Sequence, residues 1–140
     1  MITRPFAFLA VLALGACGGN RSPSGPNAPM AQIAGNWDVA VTVTGGTELA
    51  AGSQYGAQFF LTQVGTEVGG GFNAGPGIGG TVLGTVSGTT VNFTLAQSQP
   101  CAATFRGEGT VASNDSTITG SYSGTDCNGT LSTHWVATPF

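Results

Sequence analysis

Between Trp37 and Val43 a large apolar side chain stands at every second position, with Asn36, Asp38 and Thr42 between them. A period of two is that of a β-strand with one face buried; a helix would repeat its apolar face every three to four residues. The habit returns further along, so that strands are predicted at about 36–44, 56–64, 67–73, 80–87, 90–97, 101–111, 116–125 and 130–138. Charged residues make up only 6% of the chain while Gly, Thr, Ser and Val abound, which suits strands joined by tight turns.

The turns set the pairing. A two-residue loop at Gly65-Thr66 places Gln63 opposite Val68, Leu61 opposite Gly70 and Phe59 opposite Phe72, all on one face. A loop at Gly88-Thr89 does the same for Val86 and Val91, Gly84 and Phe93, and Val82 and Leu95. Asn128-Gly129, a strong hairpin signal, sets Tyr122 opposite Trp135 and Asp126 opposite Leu131. A loop at Ser113-Asn114 pairs Phe105 with Tyr122 and Gly109 with Ile118, and leaves Cys127 one position out of line with Cys101. A β-bulge near Gly120 or Gly124 is expected to cancel that slip. Eight strands joined in sequence predict an all-β, eight-stranded antiparallel up-and-down meander barrel, since an even count lets the last strand close on the first and removes both edges. The alternative is a two-sheet β-sandwich of the same strands.

Gly35-Asn36-Trp37 at the head of the first strand, the eight-strand meander, and Trp135 late in the last strand resemble the calycins, the lipocalin and avidin group. The resemblance spans residues 35–139 and implies a barrel holding one small ligand. The ring of hydroxyls, Asn and Asp that serves biotin in avidins is replaced here by inward Val, Phe, Leu and Gly, with Tyr122, Thr133 and Gln63 as the polar inward positions. Trp37, Phe59, Phe93, Phe105, Tyr122 and Trp135 are the candidate pocket lining; the same six rings would otherwise form a plain core. An eight-stranded interior is just wide enough for either. Inward glycines at 70, 84, 107, 109 and 120 leave both readings open, because they either make room for a ligand or let a neighbouring ring fill the space.

Ahead of the barrel, Arg4 precedes nine apolar residues, Phe6 to Leu14, and the small pair Gly15-Ala16. That order is that of a secretory signal peptide, too short to span a bilayer as a helix. Leu14-Gly15-Ala16-Cys17 resembles the lipobox of bacterial lipoproteins, which implies cleavage after residue 16 and lipidation of Cys17. Gly18, where an inner-membrane retention signal would place Asp, implies sorting to the outer membrane of the cell envelope. Two or more acyl chains make such an anchor stable where one is marginal. Residues 17–31, rich in Gly, Pro, Ser and Asn, read as a flexible tether with a reach of about 20 Å. The expected plan is therefore signal peptide 1–16, lipidated tether 17–31 and barrel domain 32–140.

Cys101 and Cys127 are expected to form a disulfide in an exported chain, and their spacing with a single distant histidine is not that of a zinc site. No metal or cofactor is expected. The chain has no lysine, and past Cys17 its cations are Arg21 and Arg106, so no basic face exists for nucleic acid. Catalytic patterns are missing too. His134 alternates with Trp135 and faces outward, as do Asp38 and Glu108, while Glu48, Glu67 and Asp115 fall in turns. Gly120-Ser121-Tyr122-Ser123-Gly124 has Tyr where a nucleophile elbow needs Ser. The glycine-rich run 69–80 lacks the helix and lysine of a phosphate cradle, and reads as a loop over one barrel end. The sequence thus predicts no enzyme. It predicts a lipid-anchored envelope lipoprotein whose calycin-like barrel binds a small apolar or aromatic ligand, or else a structural or assembly lipoprotein with a filled barrel. Its partners would be the membrane, through Cys17, and a small hydrophobic ligand.

Overall fold

Residues 29–140 are described by the structure, a computed structural model; the signal peptide, Cys17 and the tether as far as residue 28 lie outside them. Eight strands follow in order: β1 (Gly35–Gly46), β2 (Gln54–Val64), β3 (Glu67–Asn73), β4 (Gly79–Ser87), β5 (Thr90–Gln99), β6 (Ala103–Val111), β7 (Ile118–Asp126) and β8 (Gly129–Pro139). Each pairs antiparallel with the next, and β8 returns to β1, so the sheet closes into a barrel in meander order. The closed ring excludes the sandwich alternative.

Alternation decides the two faces. In β1 the residues Trp37, Val39, Val41 and Val43 are buried, and in β8 Leu131, Thr133, Trp135 and Ala137. Outward positions carry Asp38, Gln58, Thr85, Asn92, Arg106, Ser121 and His134. A polar outside around an apolar inside is the arrangement of a barrel standing in water, the inverse of a membrane-spanning one.

The β2–β3 and β4–β5 ladders have the expected registers, with Phe59 opposite Phe72 and Gly84 opposite Phe93. The other two hairpins slip by two residues. Phe105 lies opposite Gly124 and Tyr122 opposite Gly107 in β6–β7, while Tyr122 lies opposite Thr133 and Gly120 opposite Trp135 in β7–β8. Asp126 pairs with Gly129 rather than Leu131. Two causes act together. The β6–β7 connection is longer than two residues, because Ala112 N donates to Thr117 O across a four-residue loop held by the Asn114 carboxamide, which accepts from Ser116 N. Packing adds the second cause: the expected registers set ring against ring, whereas the observed ones set Phe105, Tyr122 and Trp135 each opposite a glycine or threonine. The rings of Phe105 and Trp135 take the room left by Gly124 and Gly120, where an added Cβ would stand 2.6 Å from each ring.

No bulge interrupts β6–β7; the ladder irregularities fall instead at Val43/Gly45 in β1–β8 and Gly79/Gly80 in β4–β5. The Cys101–Cys127 disulfide forms beyond the last ladder pair, Thr104–Thr125, where a Cα–Cα separation of 6.3 Å needs no bulge. It closes the open end of the β6–β7 hairpin and contributes about 3 kcal/mol by constraining the unfolded chain.

Because the strands alternate in direction, the β1–β2, β3–β4, β5–β6 and β7–β8 connections gather at one end, here called the mouth. The base holds the other three turns and the segment leading into β1. That segment plugs it. Ile33 is 1% exposed and Ala31 3%, so burial begins one residue ahead of the expected boundary at 32. Gln63 clamps the plug, accepting from Ile33 N at 2.8 Å and donating to Ala31 O at 3.0 Å. Ala31 N donates to Gly88 O, and Trp37 Nε1 to Ile33 O at 2.9 Å.

Candidate functional site

Above the plug, the lower half of the barrel is filled. Phe59, Phe93 and Trp135 meet edge to face with centroids 5.7–6.3 Å apart, and only about 20 Å³ of space remains among them and their aliphatic neighbours. The inward glycines serve this packing. A Cβ on Gly107 would stand 2.6 Å from Phe93 Cζ, and one on Gly120 would stand 2.6 Å from Trp135 Cζ2. At these two positions the room left by glycine is taken by a ring, not by a ligand.

Toward the mouth the barrel opens into a cavity of about 300 Å³, at the lower end of the range for small-molecule sites. Strand positions supply an apolar wall that includes Phe59, Phe72, Leu95, Phe105 and Leu131, and the β1–β2 and β3–β4 connections add Glu48, Leu49, Ala74 and Ile78 at the rim. The rings of Phe105 and Tyr122 meet edge to face at 6.0 Å. Of the six candidate lining residues, Phe59, Phe105 and Tyr122 border this cavity. Phe93 and Trp135 belong to the filled half, with Phe59 spanning the two, and Trp37 is buried with its indole bonded to the plug.

Polar groups are few and placed. The hydroxyls of Tyr55 and Tyr122 are hydrogen-bonded to each other. Burial pushes the Tyr122 phenol well above its ordinary value, with the neighbouring Tyr55 adding to the shift, and burial also raises Tyr55. Gln97, 8% exposed, donates to Asp126 Oδ2 at 3.1 Å and to Cys101 O at 3.3 Å. Asp126 Oδ1 accepts from Asn128 N at 2.7 Å, so both its oxygens are engaged. Glu48 differs: its Oε2 is buried and has no hydrogen-bond partner. Burial raises the Glu48 carboxyl above its usual value, and the charge of Asp126 raises it further.

Glu48 is held by backbone. Its N–H donates to Thr130 O at 3.0 Å, and Thr47 exchanges bonds with Thr130 beside it. This lacing depends on Gly129, whose φ is +134° and where a Cβ would stand 2.4 Å from Thr47 Oγ1. Glycine is required on both counts.

Tyr55, Leu95, Gln97 and Leu131 share the inward parity of Phe59, Phe93 and Trp135 and were accessible to the alternation rule. Glu48, Leu49 and Ile78 come from connections, where no periodicity points. Gln63, expected inside, lies at the base and serves the plug.

Other features are not sites. A hollow of about 820 Å³ runs over the outside of β1, β2 and β8, lined by small outward residues such as Ala40, Thr42 and Gly56 and open to solvent. The Asp126 carboxylate lies within 4.8 Å of the Cys101 and Cys127 sulfurs, but both sulfurs are bonded to each other and the group offers one carboxylate. No known protein family matches the chain, and no curated protein is detectably similar to it.

Proposed function

We propose that this protein is a lipid-anchored lipoprotein of the bacterial envelope, sorted to the outer membrane, whose barrel carries a small apolar or aromatic ligand in its mouth. The observation behind the ligand reading is the division of the interior: a filled lower half beneath an apolar cavity of about 300 Å³. A barrel that served only as a spacer would gain by filling both halves, since empty apolar volume costs stability. The anchor rests on the Leu14–Cys17 lipobox, and the calycin resemblance adds to the same reading.

The chain enters β1 through the base, so a tether from Cys17 would hold the base toward the membrane and turn the mouth away from it. Ligand would then exchange with the aqueous space. We assign the cavity no catalytic step. The assembly reading draws on a different observation, the exposed Phe60, Val64 and Leu83 on or beside the outer face of β2–β4.

A native mass spectrum of the chain purified from envelopes tests the proposal. The expected result is a bound small molecule that is lost in Ala57→Trp, which fills the cavity from its wall. A chain that co-purifies with nothing, and takes up no apolar aromatic compound when offered one, overturns it. Cys17→Ser should at the same time abolish incorporation of labelled fatty acid.

A further inference from the structure

We propose that the mouth cavity selects an apolar or aromatic ligand bearing a protonated amine, with the ammonium seated at Glu48 and the apolar body among Phe72, Leu95 and Phe105. This rests on the reading of the cavity as a ligand site and names the chemical class it takes.

Four observations converge. First, Glu48 Oε2 is a buried acceptor without a partner at the rim of a cavity whose wall is otherwise largely apolar. A donor that reaches this carboxyl would gain a bond that no protein group supplies, because a buried polar atom without a hydrogen bond forfeits its solvation. Second, the neighbouring Asp126 already accepts one bond at each oxygen, whereas Glu48 Oε2 accepts none. Asp126 still adds negative potential at the same point. Third, no protein cation competes. Among the described residues the basic side chains are Arg106 and His134, both exposed on the outer faces of β6 and β8. Fourth, the paired hydroxyls of Tyr55 and Tyr122 keep acceptor lone pairs, and the aromatic wall favours a cation over its ring faces.

The donor set excludes competing ligands by chemistry. A carboxylate ligand would meet Glu48 and Asp126 as like charges. A calcium-type cation needs six to eight oxygen ligands, which this wall does not supply. A neutral alcohol could donate one bond to Oε2 but would leave the charge uncompensated. An ammonium satisfies both, by a charge-assisted bond.

The titratable groups whose charge acts on the Glu48 carboxyl or feels it are Asp126 at the end of β7, Tyr55 from β2 and Tyr122 from β7. Both phenols are held neutral, so the carboxylates set the charge. An ammonium favours the ionised form of Glu48, and affinity for it should therefore fall as the pH is lowered through the raised range of that carboxyl.

The test titrates the full chain, at low salt by calorimetry, with naphthylmethylamine, naphthylmethanol and naphthoate, which share one aromatic body. The amine should bind about tenfold or more tightly than the alcohol, and the naphthoate weakest. Glu48→Gln should erase the amine's advantage, while Asp115→Asn, an exposed turn position at the base, should keep it. Three equal affinities, or a preference for naphthoate, overturn the amine assignment and leave the cavity as a ligand site. No binding by any of the three overturns both. The comparison within the unaltered chain decides the matter even where a variant folds poorly.

Discussion

Tyr55 and Tyr122 are the two tyrosines of the chain, and one hydrogen bond joins their hydroxyls. The pair therefore reports on itself without labels. Burial holds both phenols above the ordinary value of about 10. Folding thus favours the neutral form, and the sign of the linkage follows: stability is fully present below a pH of about 10 and is lost as pH rises through the folded values, because the unfolded chain ionises first. In an alkaline titration the native protein should show no phenolate absorbance through the range where the denatured chain titrates. The rise should come only with unfolding. A half-amplitude rise in folded protein would mean that one hydroxyl reaches water and the pair is not closed. At this scale legibility was uneven. Tyr122 was marked by its inward parity, as Tyr55 could have been, but their bond depends on two strands not adjacent in the ring. Glu48 left no mark at all, since its burial is set by the backbone lacing of Thr47 to Thr130 and by the absent Cβ of Gly129.

Along single strands the sequence speaks most clearly. Trp135 and His134 are neighbours in β8, one 2% exposed and the other outside. Trp135→Ala should cost about 3–5 kcal/mol in denaturant unfolding, since it removes the ring that meets both Phe59 and Phe93. His134→Ala should cost under about 0.5 kcal/mol, as an ordinary surface change does. A costly His134 change beside a harmless Trp135 one would place the strand face down. Pairing between strands was legible only where the turn was unambiguous. Gly65 and Gly88, at φ near +60°, take the left-handed conformation that a two-residue hairpin needs, and those registers followed directly. The two-residue loops expected at Ser113-Asn114 and Asn128-Gly129 were both misplaced: the first is four residues long, and the second sits one position earlier, at Cys127-Asn128, with Trp135 packed beside Gly120 on the next strand. The face of every residue survived both corrections, because a slip of two preserves parity.

Closure of the whole barrel could be argued from eight alternating stretches joined by short turns. Its division into a filled base and a hollow mouth could not, because the rings that fill it come from strands on opposite walls. The plug was hidden for a related reason: Ala31 and Ile33 have no periodic partners, and their burial depends on Gln63 and Gly88, more than 29 residues away in sequence. Seven of the eight ladders join strands that follow each other, while the eighth joins β1 to β8 and sets Trp37 opposite Pro139. Bringing those ends together carries the loop-closure entropy of nearly the whole domain, and topologies with such long-range contacts fold slowly. Pulse-labelled hydrogen exchange during refolding should therefore protect amides of β3 to β5 before those that bond β1 to β8. Simultaneous protection throughout would mean that the ring does not form in steps. During the interval the chain is a curled ribbon of hairpins, with β1 and β8 as free edges and the inward valines of β1 not yet sealed from water. Of the eight strands, β8 is both the last in sequence and the one that ends this exposure, so the time spent as an open ribbon is set by when β8 docks on β1.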